Sequence, residues 1–164
     1  MRFLPLIIIL WLLAVSPLVH AADADKAAQD KQVEVIENIS RVVQDHMAGA
    51  MIEDGHIITE DEAKKLKYPL IPFEERKQVV IVGEISGLAA LCGLDWKMGN
   101  YLPLMSALRG KHKGWTDYQY AYASMLHGAS MQIAQRGLDA QKICTDGTIT
   151  KLKKNMIFQQ ANGN

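Results

Sequence analysis

The chain carries no net charge: 18 Lys and Arg balance 18 Asp and Glu, and no basic face gathers anywhere along it. Nucleic-acid binding rests on clustered cations that neutralise phosphates, so that class is set aside. The nucleophile and metal signatures G-x-S-x-G, H-E-x-x-H and S-x-x-K are missing too, which removes the motif-bearing hydrolases. Only two cysteines occur, and they do not form C-x-x-C. A redox dithiol therefore has no sequence support. No low-complexity stretch, solenoid period or β-hairpin signal is found.

One long apolar run is present. Arg2 supplies a small basic start, Leu4 to Val19 is uncharged, and Val19-His20-Ala21 offers small residues for cleavage, with Ala22-Asp23-Ala24 as a second site. This is the pattern of a secretory signal peptide. Pro5 and Pro17 interrupt the run, which is shorter than the roughly 20 residues a membrane span needs. Residues 1–21 are thus read as a leader, and residues 22–164 as one helical domain. Loss of Arg2 leaves 17 basic against 18 acidic residues. The expected location is periplasmic or secreted, with membrane contact only through the leader.

In an oxidising compartment an even cysteine count points to a bridge, Cys92 to Cys144, closing a loop of 52 positions. In the chain-entropy model such a staple contributes about 4 kcal/mol.

The mature part reads as all-α, a small bundle of about five helices. Val33, Ile36, Ile39, Val43, Met47 and Ala50 recur at three- and four-residue intervals, predicting a helix from Asp25 to Met51. Glu53-Asp54-Gly55 should break it. Thr59 with Glu62, and Thr116 with Gln119, are capping boxes that start further helices, the second running to Arg136 with Gly137 as its left-handed cap. Residues 79–91 are ambiguous: Val79-Val80-Ile81-Val82 favours a strand, whereas the flanking Glu74–Lys77 and Gly87–Leu91 favour a helix. Length decides for a helix, apolar nearly all round, in which Gly83 and Gly87 would admit a second helix closely. Asp95 can cap a segment from Trp96 to Lys111, kinked or started at Pro103. Thr145 or Thr148 opens a last, basic helix ending near Phe158.

Residues 114–132, GWTDYQYAYASMLHGASMQ, hold the densest set of aromatic, Met and His side chains. Trp115, Tyr118, Tyr122 and Met125 fall on one stripe; Tyr120, Ala123, His127 and Met131 fall on the next. Such stripes serve mainly as core, and their exposed edges serve as contact surface. The first stripe is the expected partner-binding set.

Two chemical alternatives stand beside it. His127 with Met131, and His46 with Met47 and Met51, pair imidazole with thioether, a donor set suited to Cu(I). Glu84, alone in an apolar segment, has the setting of a general acid if a second carboxylate such as Asp95 or Asp117 approaches. Calcium loops are excluded. Aligned on Gly55 and Gly147, the EF-hand pattern puts Ala50, Ile52, Lys142 and Cys144 where oxygen ligands belong. The expectation is an exported, non-catalytic protein that needs no cofactor and binds another exported or membrane-bound protein, with copper binding as the alternative.

Overall fold

The computed structural model describes residues 16–156, with side chains from Lys26 onward. The chain divides into two compact units, residues 1–35 and 36–164. The first contributes residues 16–35 of helix α1 (Ser16–Asp45), whose side chains from Lys26 to Val35 are all exposed. The leader expected at residues 1–21 lies, up to residue 15, outside the described residues. So does Phe158.

The second unit is all-α, and among the described residues it has no strand. After the end of α1 come a single turn, α2 (Glu60–Ala63), the long α3 (Phe73–Leu91), a π-helical turn (Lys97–Tyr101) and α4 (Leu102–Lys111). Helix α5 (Asp117–Gln135), the short α6 (Ala140–Ile143) and α7 (Asp146–Asn155) complete it. Five of the seven helices are of substantial length, as the periodicity predicts.

Residues 73–91 are helical, so length outweighs the β-branched run. Gly83 and Gly87 are the reason α3 sits where it does. A Cβ at Gly83 would lie 2.6 Å from the His127 carbonyl oxygen, and one at Gly87 would lie 2.4 Å from that of Met131. Bare backbone there lets α3 and α5 approach to van der Waals contact, and this is the most extensive helix pair in the fold. Val79, Val80 and Val82 from α3 and Tyr122, Ala123 and Leu126 from α5 belong to one core with Ile36 and Val43 of α1, Met47 just after it, and Leu104 and Leu108 of α4.

Helix α3 stops at a Schellman cap. The Leu94 amide donates to Ala89 and the Gly93 amide to Ala90, with Gly93 at φ +69°. The cap presents Cys92 to Cys144, and the two form the disulfide, Cα atoms 5.3 Å apart. Pro103 occupies the first turn of α4. In the preceding π-turn the Leu102 amide donates to the Lys97 carbonyl, five residues back.

Several boundaries differ from the sequence reading: α1 already runs at Ser16 rather than from Asp25, and α7 stops at Asn155. Helix α1 ends at Asp45 rather than Met51. Gly49, at φ +84°, turns the chain back, and its amide donates to the Ile58 carbonyl at 2.8 Å while the Ile58 amide donates to Ala50 at 2.8 Å. Met47 is buried and Ala50 half-buried against the core, so the apolar rhythm persists past the helix that it suggested.

Candidate functional site

The four side chains expected to meet a partner are buried to different degrees. Tyr122 is wholly buried, and its hydroxyl donates to the Ser40 carbonyl at 3.0 Å; burial pushes its pKa up to about 12. Trp115 stacks on His112 at 4.3 Å, Tyr118 donates its hydroxyl to Glu62, and Met125 is half-buried against the core. An encircling pattern of large side chains does not tell sequence reasoning which face is open.

The open face of α5 carries Asp117, Tyr120, Ala121 and Ser124. With Tyr101, Met105 and Arg109 of the π-turn and α4, and Met51, Ile52 and Glu53 of the turn after α1, they enclose a cleft of about 260 Å³. Each wall is locally fixed. The Tyr101 hydroxyl and Ser124 Oγ are 2.9 Å apart, Arg109 pairs with Glu53 at 2.8 Å, and the Arg109 guanidinium lies 5.0 Å above the Tyr120 ring. Tyr120 in turn donates to the His112 carbonyl at 2.7 Å.

Met51 is 66% exposed and bridges Ile57 in an antiparallel pair, which puts both side chains on one face. Leu102 and Met98 are exposed on the segment that supplies Tyr101 and Met105 to the cleft. Methionine adapts its shape at little cost, which suits it to a surface that meets a partner.

His127 is 2% exposed. Its Nε2 is 3.0 Å from Ser86 Oγ, and Ser86 gives its own proton to the Val82 carbonyl at 2.8 Å. Nε2 must therefore carry hydrogen and donate. That polarity is the reverse of a base activating a serine, and burial depresses the imidazole pKa to about 4. Trp96 and Tyr101 rings cover it, at 5.9 and 5.2 Å between centroids. This arrangement gives the His127–Met131 copper set no support: the ring nitrogen is engaged, and Met131 enters the α3 contact through its backbone. The second set is dispersed, because α1 ends early. Met47 is in the core, Met51 is out on the turn, and His46 Nδ1 donates to the Val42 carbonyl at 2.7 Å. Among the described residues no group of three His, Cys, Asp or Glu side chains could hold a metal. Glu84 stands exposed with no hydrogen-bond or ion-pair partner, and partial desolvation raises its carboxyl above the usual range. No second carboxylate pairs with it.

Two polar hubs were not legible. Glu62 caps α2 through Thr59 and also accepts from His56 Nε2 and Tyr118, each at 3.0 Å, so four donors hold its pKa at about 2. The buried Arg76 guanidinium forks onto both Glu37 oxygens at 2.8 Å, with Tyr68 bonded to the same carboxylate and Arg41 stacked over its ring. The hydrogen bond from Arg76 is the main reason that the Glu37 carboxyl lies below its usual range. Both hubs tie elements together and neither opens a reacting centre. No described helix is long and apolar enough to cross a membrane. The chain matches no protein family, no curated protein and no solved structure.

Proposed function

We propose that this is an exported helical protein that acts by docking onto another exported or membrane-bound protein through the cleft between α4, α5 and the turn at Met51. The observation that carries this reading is the set of exposed apolar side chains that go with the cleft: Met51 in its lining, Ile57 bridged to Met51, and Met98 and Leu102 on the segment that supplies Tyr101 and Met105. Interfaces concentrate methionine and tyrosine, and a surface of this kind is costly to leave against water without a partner. Export rests on the leader pattern and on the disulfide, which is compatible with an oxidising compartment.

The test is site-specific photocrosslinking in the producing cells. Benzoylphenylalanine at Met51 or Leu102 is expected to give one discrete adduct, competed by unlabelled protein, whereas the same group at exposed Lys154 gives none. With benzoylphenylalanine at Met51, Leu102→Glu should abolish the adduct without moving the melting temperature, and with the group at Leu102, Met51→Glu should do the same. Equal labelling from all positions, or none from any, overturns the cleft as the docking surface. Intact mass of the exported protein should correspond to a chain starting at Ala22.

A further inference from the structure

Of the eight methionines, Met1 lies outside the described residues, and the fold sorts the others sharply. Met47, Met105 and Met156 are buried, at 0%, 7% and 6% exposed, and Met125 and Met131 are half-buried. Only Met51 and Met98 stand out in solvent, at 66% and 56%. Neither belongs to the core, so neither is there to fill a gap in it. Both go with the docking cleft: Met51 lines it, and Met98 lies in the π-turn that supplies Tyr101.

The remaining sulfur chemistry of the chain sharpens the contrast. Both cysteines are consumed by the Cys92–Cys144 bridge, and no free thiol is left. A thiolate is the group that a peroxide would otherwise attack first. Without one, the exposed thioethers are the sulfur centres open to oxidation, and burial withholds the oxidant from Met47, Met105 and Met156. Oxidation also changes what the surface can do. Methionine sulfoxide is polar where the thioether was apolar, and burying it against a partner that offers no donor is unfavourable.

We propose that Met51 and Met98 are peroxide-sensitive modification sites, and that their conversion to sulfoxide releases the partner from the cleft. The release, unlike the modification, rests on the docking reading. In each step the thioether sulfur attacks one oxygen of hydrogen peroxide, and an S–O bond forms as the O–O bond breaks. Sulfur is oxidised by two electrons and the peroxide is reduced. The departing oxygen takes the proton of the transferred hydroxyl and leaves as water. Because both side chains stand clear of the core, the fold survives the change.

The experiment treats the full exported chain with hydrogen peroxide and reads two things. Peptide mass mapping should place the first oxygens on Met51 and Met98, about tenfold faster than on Met47, Met105 or Met156, with the melting temperature unchanged. In the producing cells, a peroxide pulse before illumination should cut the adduct from benzoylphenylalanine at Leu102 about tenfold, the effect of burying an unmatched polar group. Met51→Leu and Met98→Leu, made singly and together, remove the thioethers but not the apolar surface. The ratio of adduct after peroxide to adduct before it should rise with each and approach unity with both. Met51→Gln with Met98→Gln should imitate the oxidised protein with no peroxide added. Even oxidation of all methionines, faster oxidation of a buried one, or an adduct that peroxide leaves unchanged overturns the proposal alone. An equal loss of adduct in the double leucine variant places the oxidation on the partner and overturns it as well. No adduct from Leu102 even before peroxide overturns the docking reading and the release with it, while the mass map still decides the modification.

Discussion

The α3–α5 contact and the α1–α2 side of the same unit are held by opposite means. Between α3 and α5 the helices touch through Gly83 and Gly87, and the fully buried polar pair there, Ser86 with His127, is neutral, while Gln135 donates to the Gly87 carbonyl at the half-buried edge. On the other side, segments far apart in sequence are joined by carboxylates with several donors each, Glu37 to Arg76 and Tyr68, and Glu62 to Thr59, His56 and Tyr118. The first region depends on shape, because nothing larger than hydrogen fits at the glycines. The second depends on charge, because each hub strands a polar group if one member leaves. The cleft takes one of its walls from α5.

The largest effect is expected at the charged side. Glu37→Ala leaves the Arg76 guanidinium, with its side chain 4% exposed, buried and unpaired, which costs about 4 kcal/mol. The double variant Glu37→Leu with Arg76→Met removes both charges, and most of the loss should be recovered. Urea midpoints of the three proteins measure this. If the single and double variants are equally destabilised, packing rather than charge holds this region.

Next comes the neutral pair in the apolar region. His127 is held at about 4 against an ordinary 6.5, so the unfolded chain binds a proton that the fold refuses. Stability is therefore complete above pH 6.5 and is lost as pH falls towards 4, by about 3 kcal/mol over the window. His127→Gln keeps an N–H for Ser86 and does not titrate. Its denaturant midpoint should lie lower than wild type at pH 7 but change far less between pH 6.5 and 4.5. A parallel pH dependence in both proteins would place the titration elsewhere.

The contact itself is tested by Gly87→Ala. The new methyl would meet the Met131 carbonyl oxygen at 2.4 Å, and backbone cannot step aside, so a loss of about 2 kcal/mol is expected. Gly128, on α5 with open space around it, is the control: alanine there should be neutral or stabilise by up to about 1 kcal/mol. Melting curves of the pair decide whether bare backbone at the contact, rather than helix propensity, explains the glycines.

What the sequence made legible is local or topological. The capping boxes Thr59–Glu62 and Thr116–Gln119, the cap at Gly137, the Gly83–Gly87 spacing and the Cys92–Cys144 bridge all follow from neighbours within a few residues or from parity of count. The cleft and hubs are not of that kind. Arg76 meets Glu37 across 39 positions and Tyr118 meets Glu62 across 56, and no periodicity encodes a hydrogen bond between segments so distant. On α5 the first stripe divides: Tyr122 is fully buried, whereas Trp115, Tyr118 and Met125 are half-buried against the core, as Tyr120 and Ala121 are on the cleft side. The end of α1 escaped because Met47 and Ala50 remain against the core after the helix stops, and burial is what a hydrophobic rhythm reports.

The smallest effect separates the two regions by acid. Glu62 is held at about 2 by donors that prefer its charged form, the Thr59 amide first, so the stability it lends is whole above pH 4.5 and fades as pH falls from there through 2. This window lies below that of His127. Glu62→Gln retains an oxygen for Thr59 and Tyr118 but cannot ionise, so at pH 7 it should be only slightly less stable than wild type, by less than any change above. Between pH 4.5 and 2.5 the two should converge. Proton uptake on unfolding, measured as the pH dependence of the urea midpoint in that range, should be smaller in the variant by a fraction of a proton. If Glu62→Gln instead runs parallel to wild type down to pH 2.5, the capping bond alone fixes α2, and the His56 and Tyr118 contacts lend the charged side nothing.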